Sequence, residues 1–160
     1  MSYLYRLSRM RFARDMTGEG ARIKGGRWTQ KGIPVIHTSE SAATACMEYL
    51  VHLGNPRFFP GDVALITYEL HEDATILTVD ETSLPANWRE VPAPGTLQMI
   101  GTSWCNDQSY LGLRLPSVPI PLGEHKNVLI NPNHPEFEEF FTISSIDLYE
   151  FDSRLRTLGR

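Results

Sequence analysis

Short apolar runs separated by turn-forming residues dominate the chain and predict more strands than helices. The clearest run is 63–70 (VALITYEL). Further strands are predicted at 3–7, 34–38, 76–79, 111–115, 128–130 and 146–151. Because the strands do not alternate regularly with helices, we predict an α+β fold with mostly antiparallel, mixed sheets. A length of 160 residues fits one compact domain covering 1–160.

The segment 42–53 is predicted to form the main helix. Hydroxyls at 39–41 can cap its start, and Gly54 and Pro56 can end it. At about 100° per residue, two opposite sides of the helix are apolar, which predicts a well-buried element. These sides contain Ala42, Ala45, Cys46, Tyr49 and Leu53 on one face, and Met47 and Val51 on the other.

A polar stripe that contains Glu48 and His52 runs between the two apolar sides of this helix. A carboxylate on a buried helix is costly unless a partner satisfies it. Glu48 is therefore expected to face a cleft or a partner. The alternative is a surface pairing with His52 or an arginine, and periodicity alone does not decide between the two.

The remaining segments are predicted to be loops and one short helix. Residues 18–26 form a glycine-rich, basic loop, and 80–95 form a proline-rich loop over the surface. The segment 97–104 is predicted to form a short helix.

Charge and composition exclude several classes of protein. The net charge is −4, which disfavours direct binding to nucleic acid. No apolar run approaches the roughly 18 residues of a membrane span, so we expect a cytoplasmic protein. Cys46 and Cys105 are expected to be reduced thiols. The basic residues concentrated in 1–31 form either a solvated face or a pocket wall for an anionic small molecule such as a dinucleotide.

Four segments together resemble the RES-domain family, which is named for an arginine, a glutamate and a serine. They occur in the family's order across about residues 20–137. The segments are ARIKGGRW (21–28), PVIHTSESAATACMEYLVHL (34–53), RLPSVPIP (114–121) and NVLINPNHPEF (127–137). By this resemblance Arg27, Glu48 and Ser117 are the family's three named residues. Arg22 matches a second basic position of the same loop. Asn131 lies in a family motif that is taken as structural first and functional second.

His37 departs from the family pattern, because many members have tyrosine there. Either side chain can hydrogen-bond a ribose or stack on a ring, and histidine could change the pH dependence. Trp28 is expected either to stack on adenine or nicotinamide or to lie in the core.

The resemblance implies a fold like the ADP-ribosyltransferases and a role as the toxin of a bacterial toxin–antitoxin pair. It implies NAD as substrate, with no cofactor. The implied reaction is either NAD breakdown or transfer of ADP-ribose to a protein. The implied partners are an Xre-type helix-turn-helix antitoxin and a second copy in a homodimer.

This chemistry gives each candidate residue a role. Cleavage of the nicotinamide–ribose bond passes through an oxocarbenium-like sugar, which the Glu48 carboxylate can stabilise. Arg27 and Arg22 can hold the pyrophosphate. Ser117 lies between prolines and can orient Glu48, the ribose or the nicotinamide amide. Water, phosphate or a protein side chain remains open as the acceptor. Glu40 lies eight residues before Glu48 and is a poor second acid, which mildly favours small-molecule chemistry.

Two other readings have less support from the sequence. A metal site at His125 and His134 lacks a recognised ligand spacing, so we expect no metal. A non-catalytic module that binds a protein partner through the basic loop and polar stripe is the main rival from another class. Cys105 is expected to be a partly buried thiol rather than a nucleophile.

Overall fold

In the computed structural model, residues 1–54, 58–120 and 122–157 form an α+β domain around one seven-stranded sheet, as predicted. The strands are β1 Ser2–Arg9, β2 Ile36–Ser39, β3 Val63–Leu70, β4 Ile76–Thr78, β5 Gly112–Leu115, β6 Asn127–Ile130 and β7 Phe141–Tyr149. The helices are α1 Glu19–Lys24, α2 Ala42–His52, α3 Gly95–Asp107 and α4 Phe137–Phe140. The strand order is β4-β5-β6-β2-β1-β3-β7, antiparallel except for the parallel β4–β5 pair.

Each predicted strand overlaps an observed one, but the loop predicted at 18–26 is wrong. It contains α1, which has Gly20 within it and a glycine on either side. Gly18 precedes the helix at φ 70° and Gly25 follows it at φ 66°, a backbone region that favours glycine. The helix predicted at 97–104 extends to Gly95–Asp107. Pro56, the predicted helix stop, lies outside the described residues.

One face of the sheet, called here the back face, carries a continuous apolar core. It includes Ile36, Ile66 and Tyr68, each 0% exposed, and Phe141 at 1%. The rings of Tyr68 and Phe141 stack with their centroids 4.7 Å apart. Burial of such large side chains makes this core the main source of stability.

The opposite, front face carries two separate apolar clusters. One packs α2 against β1 and β3 through residues such as Ala45, Leu7 and Val63. The other packs α3 and the segment around Trp28 against β5 and β6, where Leu129 is 1% exposed.

Polar residues separate the two front clusters, and we call this region the polar gap. The strand register pairs Tyr5 with Ser39, Ser39 with Asn127, and His37 with Leu129. Since directly paired residues point to the same side of a sheet, His37, Ser39 and Asn127 all point to the front. The polar gap therefore lies along β2 and β6, between the parts of the sheet that α2 and α3 cover.

Helix α2 is less buried than its sequence predicts. Its apolar face contacts the sheet, but Met47 is 39% exposed and Val51 is 56% exposed. The prediction of burial on two sides is therefore wrong, because the described elements cover only one of them. Within the described residues, no helix is long and apolar enough to cross a membrane.

Candidate active site

Glu48 projects from α2 toward the polar gap and is half-buried. The Ser117 hydroxyl donates a hydrogen bond of 2.8 Å to its Oε1 atom, and the Asn127 side-chain amide donates to the same atom. His52 instead contacts the backbone carbonyl of Glu48, with Nδ1 2.6 Å from the oxygen. The carboxylate therefore has neutral partners across the gap, as the prediction of a cleft or partner requires, and not the surface pairing with His52.

Ser117 reaches Glu48 because of where β5 ends. The strand ends at Leu115, which pairs with Asn127 at the start of β6. Two residues later the Ser117 side chain is held with only 1% of the residue exposed. Pro116 and Pro119 restrict the backbone on both sides. The structure thus brings together Glu48 and Ser117, two of the residues assigned by family resemblance.

Asn127 is a site residue that the sequence analysis missed. Its Nδ2 atom bonds Glu48, while its Oδ1 atom accepts a 2.7 Å hydrogen bond from Ser39. The hydroxyls predicted to cap α2 include that of Ser39, but the N-cap is Ser41, whose side chain accepts from the Thr44 amide at 3.1 Å. The hydrogen bond from Ser39 fixes the orientation of the Asn127 side-chain amide, so that an N–H group of Asn127 points at the Glu48 carboxylate.

Arg27 is anchored by backbone carbonyls of the 80–95 segment. Its Nη1 atom donates to the carbonyls of Trp88 at 2.7 Å and Glu90 at 3.0 Å. Partial burial lowers the pKa of Arg27, and the negative charge of Glu48 opposes that shift. An arginine has five N–H donors. In the described parts of the chain, the hydrogen bonds of Arg27 engage Nη1 and leave Nε and Nη2 without a protein acceptor.

Helix α3 holds the loop that carries Arg27. Gly101 lies so close to this loop that a Cβ atom there would be 2.2 Å from the Trp28 carbonyl oxygen. The Gln98 side chain donates to the Gly26 carbonyl at 2.9 Å. Trp28 itself is 4% exposed and packs against Trp88, with ring centroids 6.3 Å apart. Of the two roles left open for Trp28, the structure supports the core position.

His37 lies on the floor of the polar gap. Its imidazole ring is 3.9 Å from the position of a Cβ atom built on Gly26, so the Arg27 loop passes beside it. The residue is exposed to solvent. Nevertheless, desolvation by the surrounding protein lowers the pKa of His37 to about 4, and the positive charges of Arg6 and His52 act in the same direction. His37 is therefore neutral at pH 7.

Arg22 lies apart from these groups. It is exposed on α1, where Nε and Nη2 each donate to the Glu19 carboxylate at 2.6 Å. To contact a ligand in the polar gap, the side chain would have to leave Glu19.

Other residues singled out by the sequence have structural surroundings. Asn131 is fully buried, and its Nδ2 atom donates to the Cys105 carbonyl at 3.0 Å. Cys46 and Cys105 are both free thiols, and burial raises the pKa of Cys105 to about 11. Glu40 forms a bidentate ion pair with Arg114. Among the described residues, no cluster of potential ligands could hold a metal ion.

Fold and site together define a single α+β domain whose half-buried carboxylate lies across a polar gap from an anchored arginine. Comparison with known proteins gives the family. The family model described as "RES domain" matches residues 3–152. The chain therefore belongs to the RES-domain family, as the motifs predicted.

Two relatives agree with this assignment, and a structural neighbour shares the fold. "Toxin Res" of Yersinia enterocolitica is 36% identical over 96% of this chain and 99% of its own. "Prs ADP-ribosylating toxin" of a Sphingobium species is 36% identical over 78% of this chain and 76% of its own. A chain in the crystal structure of the M. tuberculosis MbcT–MbcA toxin–antitoxin complex aligns with a TM-score of 0.71 at 19% identity. That alignment covers 98% of this chain and 89% of the other. The family relationship places this protein among the RES toxins.

Proposed function

We propose that this chain is the toxin of a toxin–antitoxin pair and breaks the nicotinamide–ribose bond of NAD. The observation that carries the proposal is the restraint on Glu48. Both recorded donors, Ser117 and Asn127, bind Oε1. Within the described residues, Oε2 has no recorded hydrogen bond and can bind a ligand.

A carboxylate held in this way suits the proposed reaction. The nicotinamide of NAD is already a cationic leaving group, so the main barrier lies in the positive charge that develops on the ribose. A fixed carboxylate stabilises that charge without reorganising, and it can also accept a hydrogen bond from the ribose 2′-hydroxyl. Ser117 and Asn127 restrict the rotation of the carboxylate, which keeps Oε2 in position for this role.

Arg27 supplies the contact to the substrate phosphates in this proposal. Its Nη1 atom is committed to the Trp88 and Glu90 carbonyls, so the guanidinium plane is fixed. The Nε and Nη2 donors are then suited to bind the pyrophosphate as a pair. His37 lies on the gap floor between Arg27 and α2, where its neutral ring can hydrogen-bond a ribose or stack on a base. Arg22 can contact an outer phosphate only after it releases Glu19.

The second candidate is transfer of ADP-ribose to a protein, and the name of the Sphingobium relative favours it. Both reactions share the cleavage step and differ in the acceptor. Glu40, the nearest acid before Glu48, is paired with Arg114 and is not free to activate a protein nucleophile. This pairing favours water or phosphate as the acceptor.

The proposed setting is the cytoplasm, with an antitoxin as the neutralising partner. The shared fold with a chain of a toxin–antitoxin complex supports a partner of that kind. An Xre-type antitoxin and a homodimer of the toxin within the complex follow from the family resemblance and remain proposals.

The decisive experiment incubates the purified chain with NAD and identifies the products. Nicotinamide with free ADP-ribose indicates water as the acceptor, and nicotinamide with phosphorylated ADP-ribose indicates phosphate. Nicotinamide with ADP-ribose attached to a protein from an added lysate indicates a transferase. Expression of the wild-type chain should arrest growth, and Arg27→Ala should relieve the arrest. Intact NAD and unaffected growth would instead support the non-catalytic, partner-binding module.

A further inference from the structure

The geometry points to the Glu40–Arg114 ion pair as a positioning element that holds Ser117 and Asn127 in place for Glu48. The proposal rests on the proposed function, because it assigns these two residues a role in the same reaction. Neither residue touches the polar gap.

Glu40 and Arg114 meet on the back face of the sheet, behind the site. Arg114 pairs in register with Val128, and Val128 pairs with Thr38, two residues before Glu40. Val128 belongs to the back core, so these side chains point away from Glu48. Arg114 donates from Nε to Glu40 Oε1 at 2.6 Å and from Nη2 to Oε2 at 3.0 Å.

The ion pair spans the strand between its two partners. The local order is β5-β6-β2, so a contact from Arg114 on β5 to Glu40 after β2 crosses over β6. Glu40 Oε2 also accepts a 2.8 Å hydrogen bond from the Lys126 backbone amide, immediately before β6. The Glu40 amide in turn donates to the Lys126 carbonyl at 2.9 Å. One carboxylate therefore ties together three adjacent strand ends.

Each of these strand ends is close in sequence to a residue that bonds Glu48 or begins its helix. The residue after Lys126 is Asn127, the amide donor to Glu48. Three residues after Arg114 lies Ser117, the hydroxyl donor. Directly after Glu40 comes Ser41, the N-cap of the helix that carries Glu48. Since hydrogen bonds are sensitive to small displacements, loosening the ion pair should misplace both donors without removing either.

The pair is shielded enough to act in this way. The side chains of Arg114 and Glu40 are 32% and 24% exposed, respectively, and the bidentate geometry restricts both. A small cavity of about 20 Å³ beside them is lined by Arg114, Pro116 and Lys126, among others. Such a volume holds about one water molecule, so it leaves little room for rearrangement.

The test uses Glu40→Gln, Arg114→Met and the double variant in the full-length chain. Asp62→Asn is the matched control, because it removes an ion pair (Arg9 Nε to Asp62, 2.7 Å) outside the site. The first readout is the side-chain amide signal of Asn127 in the NMR spectrum of isotope-labelled protein. The second is kcat and KM for nicotinamide release from NAD.

We expect each single variant to shift the Asn127 amide signal and to lower kcat by about 10- to 100-fold. KM for NAD should change far less, because Arg27 remains in place. The double variant should be no worse than either single variant, as expected of residues that act as one unit. The control should match the wild type in both readouts.

An unchanged Asn127 signal together with wild-type kcat would overturn the proposal. The proposal would also be overturned if kcat fell only in proportion to the fraction of unfolded protein, as measured by thermal denaturation. If Glu40→Gln does not fold, Arg114→Lys carries the same test, since it keeps the charge but loses the bidentate geometry. If the wild type releases no nicotinamide, the proposed function fails, but the amide signal still decides whether the ion pair positions Asn127.

Discussion

The two faces of the sheet are built for different tasks. The back face has one continuous core in which Tyr68 and Phe141 stack at full burial. On the front face, the apolar clusters under α2 and α3 are separated by polar side chains that converge on Glu48. A gap in apolar packing reduces the area that can stabilise the fold, and it leaves space where charged groups can meet a ligand. The comparison predicts that substitutions on the back face change stability, whereas substitutions in the gap change activity.

The largest effect is expected from Phe141→Ala. The substitution leaves a cavity in the back core and should lower the free energy of unfolding by about 3–5 kcal/mol. Urea denaturation measures this change. Phe12→Ala, at a residue 49% exposed, is the matched control and should cost less than about 1 kcal/mol. Similar losses in the two variants would contradict the assignment of stability to the back face.

Glu48→Gln should have the next largest effect, and on activity rather than stability. Removing the charge should lower kcat for nicotinamide release by about 10²- to 10³-fold, the range for loss of one fixed electrostatic contact. Thermal denaturation should show the variant as stable as the wild type. Glu124→Gln, at an exposed position, is the control. A kcat for Glu48→Gln equal to that of the wild type would show that Glu48 takes no part in the reaction.

Ser117→Ala is expected to have a smaller effect, because Asn127 still donates to Glu48 Oε1. Loss of one charge-assisted hydrogen bond should reduce kcat about tenfold, which corresponds to about 1.4 kcal/mol. Steady-state kinetics with NAD provides the measurement. The control is Ser144→Ala, whose exposed hydroxyl donates to Glu69. Equal rates for the two variants would show that Asn127 alone suffices.

The smallest effect concerns His37 and pH. Its pKa is about 4 in the folded protein and near 6.5 in an unfolded chain. Between these values the unfolded chain binds more protons, so acid lowers the free energy of unfolding. In His37→Gln, this free energy should fall less between pH 7 and pH 5, as followed by urea denaturation. His125→Gln, at another solvent-exposed histidine, is the control. A pH dependence identical to the wild type would argue against a desolvated His37.

Local patterns in the sequence predicted the elements but not all of their contacts. The strands and α2 follow from apolar runs and breakers, which act over a few residues. Helix α1 was missed because its flanking glycines are also typical of a loop. The exposure of Met47 and Val51 was missed because periodicity shows that a face is apolar, not whether another element covers it.

The site could be predicted only in part, and the family resemblance contributed most of it. Periodicity left the partner of Glu48 undecided, whereas the motifs identified Arg27, Glu48 and Ser117. Asn127 was missed because its role depends on the register that places it opposite Ser39, 88 positions away in sequence. Spacing within a motif carries no information about such a long-range pairing. The roles assigned to Arg22, Arg27, His37, Glu48 and Ser117 in NAD binding and catalysis all stay predictions.

The attachment of Arg27 to two carbonyl oxygens affects how this site can evolve. The Glu90 carbonyl holds the guanidinium, while the side chain of Glu90 is exposed and takes no part in that bond. Many amino acids at position 90 would preserve the same peptide oxygen. Related proteins could therefore differ freely at this position and retain the same anchor, so an alignment would record a variable residue where the backbone has a constant role.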